Sequence, residues 1–299
     1  MSMLPTEVEW TWVKEAAAIA TEAGALLRDF YARGVAMEYK TEVDLVTEAD
    51  RTSEKLLLER LSAAFPEHGI FGEEGTRHRL DSPYRWYVDP LDGTTNFAHG
   101  FPVFCVSLGL EHRAPGTPEG RDGELVAAVI YDPMRDELFV AEKGKGAYLN
   151  GRKMHVTRTS YLGEALLSTG FPSRSRHQNP NIHFYHEITM RSHGVRRAGS
   201  AALDLAYVAA GRMDSYWEFR LNPWDTAAGA LLVLEAGGTI TRFDGTPFRL
   251  DSREVLATNS LLKTELIAVF EDMFAGRNLL PLLSPSEFAA QRKARSEDV

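Results

Sequence analysis

One stretch, Trp86–Leu110, constrains the fold of this chain more than any other. It begins with an aromatic and β-branched run, which is typical of a buried strand. Pro90 predicts the end of that strand, because proline has no N–H to donate to a neighbouring strand. Asp89 and Asp92 lie on either side of this break. Their carboxylates offer hard oxygen ligands of the kind that Mg²⁺ prefers.

The residues after this break are suited to binding an anion. Gly93 allows the backbone to approach a ligand closely, and Thr94-Thr95-Asn96 are expected to cap a helix that follows. The free N–H groups at a helix start bind anions such as phosphate. An alternative stays open, because Asp, Pro and Gly are also ordinary turn residues, and the motif alone is compatible with an Asx-rich turn.

Further carboxylates at the ends of other predicted elements favour the metal site over the turn. Glu73 lies within Gly72-Glu73-Glu74-Gly75, which follows an apolar pair and predicts another strand-to-loop edge. Asp225 follows Asn222-Pro223-Trp224 at the predicted start of a late helix. Two Mg²⁺ ions need several carboxylates from different elements, and carboxylates at element ends can converge.

Composition and charge narrow the class of protein. The 299 residues are 44% hydrophobic and 25% charged, with a net charge of −9. This length and composition predict a globular protein of about two domain-sized units or one large α/β unit.

The sequence gives no sign of a nucleic-acid or membrane partner. No run of basic residues points to nucleic-acid binding, and no apolar segment approaches the ~20 residues of a membrane span. The N-terminus does not resemble a signal peptide, and the only cysteine, Cys105, is expected to be a buried, unreactive thiol. We therefore expect a cytoplasmic protein with no nucleic-acid or membrane partner.

Hydrophobic periodicity predicts a mixture of helices and strands. Thr6 and Glu9 form a capping box that predicts a long first helix ending near Gly34. Asp50 lies in the first turn of a second helix, where a carboxylate suits the helix dipole whether or not it is catalytic. Period-2 segments between 125 and 149 predict an antiparallel meander. Later helices are expected at Asn181–Ser192, at Ala201–Ala210, from Asp225, and from about Ser260 to Phe274.

Three separated motifs, taken together, resemble those of the inositol monophosphatase family. They are Gly72-Glu73-Glu74, the run Asp89–Phe97, and Trp224-Asp225. This family belongs to the Mg²⁺-dependent, lithium-sensitive phosphatases, and the resemblance covers roughly residues 8–275. It implies an α+β fold, a layered α-β-α-β-α sandwich that is usually homodimeric. Residues 1–275 would then form a single catalytic domain of two packed halves, about 1–158 and 159–275, followed by a loosely held tail at 276–299.

The resemblance also implies two to three Mg²⁺ ions per subunit. One ion would be held by Glu73, Asp89 and the carbonyl oxygen of Leu91. A second would be held by Asp89, Asp92 and Asp225, and Glu73 would share a third ion through water.

The same resemblance implies which residues act on the substrate. Thr94, supported by Asp50, would position the attacking water, and Glu73 would contribute through the metals. Lys40 matches a mobile loop lysine near the metals, although a lone lysine is most often solvated. Substrate contacts are implied for Asp92, Gly93, Thr94, Thr95, Gly199, Ser200, Ala201, Glu218 and Asp225.

Three functions stay open at this point. The first is Mg²⁺-dependent hydrolysis of myo-inositol 1-phosphate, which Thr95-Asn96 favours by resemblance and Glu218 favours as an acceptor for ring hydroxyls. The second is a broader sugar or polyol phosphatase, for example one acting on fructose bisphosphate. The third is a non-catalytic regulatory protein on the same scaffold. The complete acidic set favours an enzyme, because carboxylates packed together without metal raise one another's pKa values and oppose folding.

Overall fold

Two β-sheets carry the fold, and helices pack on both faces of each sheet. The computed structural model describes residues 3–34, 38–39, 45–114, 123–171, 179–282 and 284–289. The helices are α1 (Val13–Arg33), α2 (Glu48–Ala64), α3 (Thr94–Ala98), α4 (Asn181–Arg191), α5 (Ala201–Ala209), α6 (Pro223–Glu235) and α7 (Lys263–Phe274). The strands of the first half are β1 (Glu38–Tyr39), β2 (Leu45–Val46), β3 (Gly69–Gly72), β4 (Arg77–His78), β5 (Tyr84–Asp92), β6 (Cys105–His112), β7 (Glu124–Asp132), β8 (Glu137–Glu142), β9 (Gly146–Leu149) and β10 (Arg152–Lys153). Those of the second half are β11 (Leu166–Thr169), β12 (Gly194–Arg196), β13 (Ser215–Phe219), β14 (Thr239–Thr241) and β15 (Glu254–Thr258).

The layers follow from alternating side chains along the strands. In the larger sheet, of order β10-β9-β8-β7-β6-β5-β3-β4, Val129 packs toward α1 and α2 while its neighbour Ile130 packs toward α5 and α6. In the smaller sheet, of order β12-β11-β13-β15-β14, Tyr216 packs toward α5 and α6 while Trp217 packs toward α4 and α7. Period-2 alternation thus buries both faces of each sheet. The predicted α-β-α-β-α sandwich is confirmed.

The start of the first helix differs from the sequence prediction. Helix α1 begins at Val13 rather than after a capping box at Thr6, and its N-cap side chain makes no hydrogen bond. Instead, a carboxylate oxygen of Glu142 on β8 accepts hydrogen bonds from the backbone N–H groups of Thr11 at 3.0 Å and Trp12 at 3.1 Å. A side chain about 130 residues away in sequence therefore caps the helix, which no local pattern could indicate.

The central strand also differs from its prediction, because Pro90 does not end it. Strand β5 continues to Asp92, and its pairing with β6 shifts between Asp89, opposite Ser107, and Asp92, opposite Cys105. Proline is tolerated in a sheet at such a bulge. Because of this bulge, Asp89 and Asp92 both lie at the same end of β5, although they are three residues apart.

The later helices and the meander lie where the sequence predicted them, with small shifts in bounds, whereas the predicted cap of α3 is wrong. The meander is antiparallel from β6 to β9, and Cys105 is fully buried. Thr94-Thr95-Asn96 form the first residues of α3 rather than its cap, which is Gly93 at a φ of 100°. Lys40 lies outside the described residues. Within the described ranges, no helix is both long and apolar enough to cross a bilayer.

Candidate active site

The hydroxyl and the carboxylate predicted for catalysis are in contact. Asp50 is 1% exposed in the first turn of α2, where one oxygen accepts hydrogen bonds from the N–H of Thr47 at 2.7 Å and from its hydroxyl at 2.6 Å. Its other oxygen accepts a hydrogen bond from the hydroxyl of Thr94 at 3.0 Å. Asp50 therefore caps its own helix and also holds the hydroxyl of Thr94, while its role in positioning a water stays a prediction.

Asp89 lies at the centre of a group of carboxylates. It is 2% exposed, and one of its oxygens accepts a hydrogen bond from the N–H of Leu91 at 3.0 Å. Burial raises the pKa of Asp89 well above its usual value, and the negative charges of Glu73, Asp92 and Asp225 raise that pKa further. These carboxylates come from two strand ends and one helix start, as the sequence predicted.

Asp92 joins the central strand to the start of α5. One carboxylate oxygen accepts hydrogen bonds from the hydroxyl of Ser200 at 2.6 Å and from the N–H of Ala202 at 2.7 Å. Ser200 is itself the N-cap of α5. Burial raises the pKa of Asp92, while the hydrogen bond from Ser200 opposes that rise. A carboxylate at a helix N-terminus is favoured by the helix dipole.

Asp225 likewise accepts a hydrogen bond from a backbone N–H group at a helix start, here that of α6. Its carboxylate accepts a hydrogen bond from the N–H of Asn222 at 2.6 Å, forming a capping box. Burial raises the pKa of Asp225 to about 8, and the charges of Asp92 and Glu218 add to that effect. The helix start orients this carboxylate toward the others.

Glu73 is positioned by a turn that the sequence analysis did not explain. Its N–H donates to the carbonyl oxygen of Val88 on β5 at 3.1 Å. The next N–H, of Glu74, donates to the carboxylate of Glu54 at 2.7 Å. Glu54 is 6% exposed on α2, four residues after Asp50 and on the same helix face. The spacing of four residues from Asp50 is the sequence signal from which Glu54 could have been predicted.

One cavity of about 750 Å³ collects most of the predicted residues. Of the predicted set it is lined by Glu73, Asp92, Thr94, Thr95, Gly199, Ser200, Ala201, Glu218 and Asp225. Asp50, Asp89, Leu91 and Gly93 are not among the residues that line this cavity. Other lining residues were not predicted from the sequence, among them Arg197, Asp204, Arg220 and Arg253.

Glu218, on β13, forms another part of the cavity wall. It is 9% exposed, and its carboxylate accepts a hydrogen bond from the hydroxyl of Tyr216 at 2.5 Å. Both side chains lie on the face of β13 that points to the middle layer, as residues two apart must. Burial raises the pKa of Glu218 to about 7, and the hydrogen bond from Tyr216 and the charge of Arg197 oppose that rise.

The donor set of this cavity fits a hard divalent cation. No group of three or more His, Cys, Asp or Glu side chains in the described part of the chain already has the arrangement of a metal site. However, the carboxylates of Glu73, Asp89, Asp92 and Asp225 are close neighbours. Burial raises the pKa of Asp89, and the charges of the other three carboxylates raise it further. Carboxylate and carbonyl oxygens are the ligands that Mg²⁺ takes. A bound cation would remove the repulsion that raises this pKa.

Known proteins are similar to this chain in sequence and in fold. The inositol monophosphatase family matches residues 9–274. The chain belongs to this family. An inositol-1-monophosphatase of Synechocystis is 42% identical over 88% of this chain and 89% of its own length. The solved inositol monophosphatase of Anabaena (Nostoc) sp. PCC 7120 has a TM-score of 0.75 at 39% identity, over 90% of this chain and 96% of that one. A protein named Nus factor SuhB from Pseudomonas aeruginosa is 43% identical over 76% of this chain and 82% of its length.

Family membership confirms two predictions and leaves others to proposal. The predicted family and the predicted phosphatase are confirmed. The metal ligands, the substrate contacts and the ion count stay predictions, now with the geometry described above.

Proposed function

We propose that the chain is a Mg²⁺-dependent phosphatase that hydrolyses myo-inositol 1-phosphate to myo-inositol and phosphate. The observation that carries this proposal is the contact between Asp50 and Thr94 beside the carboxylates of Asp89, Asp92 and Asp225. A hydroxyl held by a carboxylate next to a cation site suits the orientation of an attacking water. The names of the relatives support inositol phosphate as the substrate.

The proposed metal ligands are those implied by the family resemblance. Glu73, Asp89 and the carbonyl oxygen of Leu91 would hold one ion, while Asp89, Asp92 and Asp225 would hold a second. Glu73 would share a third ion through water. When bound, Mg²⁺ neutralises the phosphate dianion, lowers the pKa of a coordinated water and stabilises the leaving alkoxide.

Protein groups would orient the nucleophile and the phosphate. The hydroxyl of Thr94 donates toward Asp50 at 3.0 Å and toward the carbonyl oxygen of Leu91 at 3.1 Å. Because the hydroxyl acts as donor in both contacts, its oxygen keeps its lone pairs for a hydrogen bond from the attacking water. The N–H groups of Gly93 and Thr94 would bind phosphate oxygens. No protein nucleophile is required, in line with a raised pKa for the buried thiol of Cys105, which keeps that sulfur protonated.

The remainder of the cavity would recognise the polyol. The carboxylate of Glu218 accepts hydrogen bonds from hydroxyl groups and would bind the ring, together with Ser200 and the backbone of Ala201. The hydroxyl of Ser200 donates to Asp92 and accepts from the N–H of Leu203, so its position at the cavity wall is fixed. Thr95 and Gly199 line the same wall and would contact the substrate beside the phosphate.

Assembly and compartment are part of the same proposal. By family resemblance the enzyme would act as a homodimer in the cytoplasm, with Lys40 near the metals and with sensitivity to Li⁺. A lone buried cysteine supports a compartment in which disulfides do not form.

Two other functions have observations in their favour. Arg197, Arg220 and Arg253 line the same cavity, and arginine binds phosphate well, which favours a sugar bisphosphate as an alternative substrate. Glu218 would oppose a second phosphate close to it by charge repulsion. The relative named Nus factor SuhB favours a regulatory role on this scaffold.

Phosphate release from a panel of substrates tests the proposal. The panel contains inositol 1-phosphate, fructose 1,6-bisphosphate, 3′-phosphoadenosine 5′-phosphate and histidinol phosphate, each with Mg²⁺, with EDTA and with added Li⁺. We expect a preference for inositol 1-phosphate that EDTA abolishes and Li⁺ weakens. Asp89→Asn is the matched inactive control, and near wild-type turnover in this variant would refute the metal assignment. A preference for the bisphosphate would move the function to the first alternative, and no turnover would favour the second.

A further inference from the structure

One face of helix α2 contacts three separate segments of the candidate site. Asp50 accepts a hydrogen bond from Thr94. Ser53, which is fully buried, donates its hydroxyl to the carbonyl oxygen of Pro90 at 2.9 Å. Glu54 is the third of these side chains, and the spacings of three and four residues place all of them on one helix face.

Glu54 makes three hydrogen bonds to the turn at 72–76. One carboxylate oxygen accepts from the N–H of Glu74 at 2.7 Å. The other accepts from the N–H of Thr76 at 3.0 Å and from its hydroxyl at 2.5 Å. A Cβ added at Gly72 would lie 2.7 Å from the Glu54 carboxylate, so only glycine permits this close approach. The turn at 72–76 is therefore built around a buried carboxylate.

This arrangement holds Glu73 from both sides. The N–H of Glu73 bonds to Val88 on β5, and the following N–H, of Glu74, bonds to Glu54. The two peptide groups that flank the Cα of Glu73 are thus both anchored, and this restricts the φ and ψ angles that direct its carboxylate. Preorganised ligands bind metal more tightly, because less conformational freedom is lost on binding.

We infer that Glu54 is a positioning residue that sets the affinity of the site for Mg²⁺ by anchoring the backbone on the C-terminal side of Glu73, while Val88 anchors the N-terminal side. This inference rests on the proposed function, in which Glu73 is a metal ligand. Outer-shell partners of metal ligands commonly change metal affinity by about 10–100-fold. Glu54 itself touches neither substrate nor metal in this proposal.

Glu54→Gln and Thr76→Val test the inference as a graded pair. Glutamine presents one acceptor and one NH₂ group, so one of the two backbone N–H groups would face a donor. Thr76→Val removes only the hydroxyl bond and leaves the charge of Glu54 in place. Glu142→Gln is the matched control, because Glu142 is also a buried carboxylate that accepts backbone N–H groups, but at the start of α1.

The measurements are Mg²⁺ binding by calorimetry without substrate, amide hydrogen exchange in EDTA, and kcat and KM for inositol 1-phosphate against Mg²⁺ concentration. For Glu54→Gln we expect about a tenfold or larger rise in the Mg²⁺ Kd and faster exchange at Glu74 and Thr76. At saturating Mg²⁺, kcat and substrate KM should approach wild type. Thr76→Val should shift the Kd in the same direction by a smaller factor, and Glu142→Gln should leave it unchanged.

Three results would overturn the inference, and they can be told apart. If wild type binds Mg²⁺ and releases phosphate but Glu54→Gln has the same Kd, or shifts it no more than Glu142→Gln does, the inference alone falls. If wild type binds no Mg²⁺, the inference falls together with the proposed function. A shift in Glu54→Gln with none in Thr76→Val would assign the effect to lost charge rather than to positioning, and would also overturn it.

Discussion

At the residue scale, buried carboxylates supply the chemistry of the site and oppose folding in the absence of a cation. Asp89, Asp92 and Asp225 all have raised pKa values, with burial as the main cause. Each makes at least one hydrogen bond to a backbone N–H, which partly offsets the loss of hydration. A bound cation would stabilise the charged forms further.

The raised pKa values predict how the metal-free protein responds to pH. The pKa of Asp225 is about 8 in the folded protein, against about 4 in an unfolded chain. The folded state therefore binds more protons between these values, so its stability falls as pH rises from about 4 through 8. Urea denaturation in EDTA at pH 5 to 8 should show this fall. It should be smaller in Asp225→Asn and with Mg²⁺ present, and a constant or rising stability across this range would contradict the prediction.

Glu218 offers a test of substrate recognition. Glu218→Gln should raise KM for inositol 1-phosphate more than for p-nitrophenyl phosphate, because the second compound has no ring hydroxyls to bind. A change of about one log unit is reasonable for one hydrogen bond to a charged group. Glu187→Gln, at a buried carboxylate on α4, is the control. Equal losses on both substrates would assign Glu218 to structure rather than to recognition.

At the element scale, local sequence predicts where most helices and strands occur and fails where a distant residue intervenes. The capping box of α2 depends on Thr47 and Asp50, three residues apart, and is visible in the sequence. The start of α1 depends on Glu142, on another element. The continuation of β5 through Pro90 depends on its bulged pairing with β6, which sequence alone does not specify.

The distant cap of α1 can be tested by removing it. Glu142→Ala should lower the free energy of unfolding by about 1–3 kcal/mol, because the N–H groups of Thr11 and Trp12 would lose their acceptor in a partly buried setting. The phosphatase kcat should not change, and chemical denaturation measures the effect. Glu124→Ala removes an exposed ion pair with Lys143 and should change stability by less than about 1 kcal/mol. Equal effects in both variants would rule out the capping role.

At the scale of the whole molecule, the tail begins in contact with the outer layer. The guanidinium of Arg191 on α4 donates to the carbonyl oxygen of Asn278 at 2.7 Å. The N–H of Leu280 donates to the carboxylate of Glu187 at 2.9 Å. These contacts lie on the outer helical layer, across the smaller sheet from the middle helices α5 and α6 that help to form the cavity.

Truncation of the tail tests whether it contributes to the stability of the protein or to its activity. Deletion of 277–299 removes both hydrogen bonds and should lower the melting temperature by about 2–4 °C for each kcal/mol lost, with kcat unchanged. Deletion of 283–299 keeps both bonds and serves as the matched control. Thermal melts and steady-state kinetics measure the two effects. A large fall in kcat on deletion of 277–299 would show that the tail supports the active site.

The sequence by itself determined the family, the order of most elements and the residue types of the site, because these depend on motifs and on short-range periodicity. Only the tertiary structure decided how the segments meet. It placed Asp50 against Thr94, Asp92 against the start of α5, and Glu54 beneath Glu73. The hydrogen bonds that make these contacts join residues at least 20 positions apart, and such contacts are set by how the helices and sheets pack rather than by local propensity.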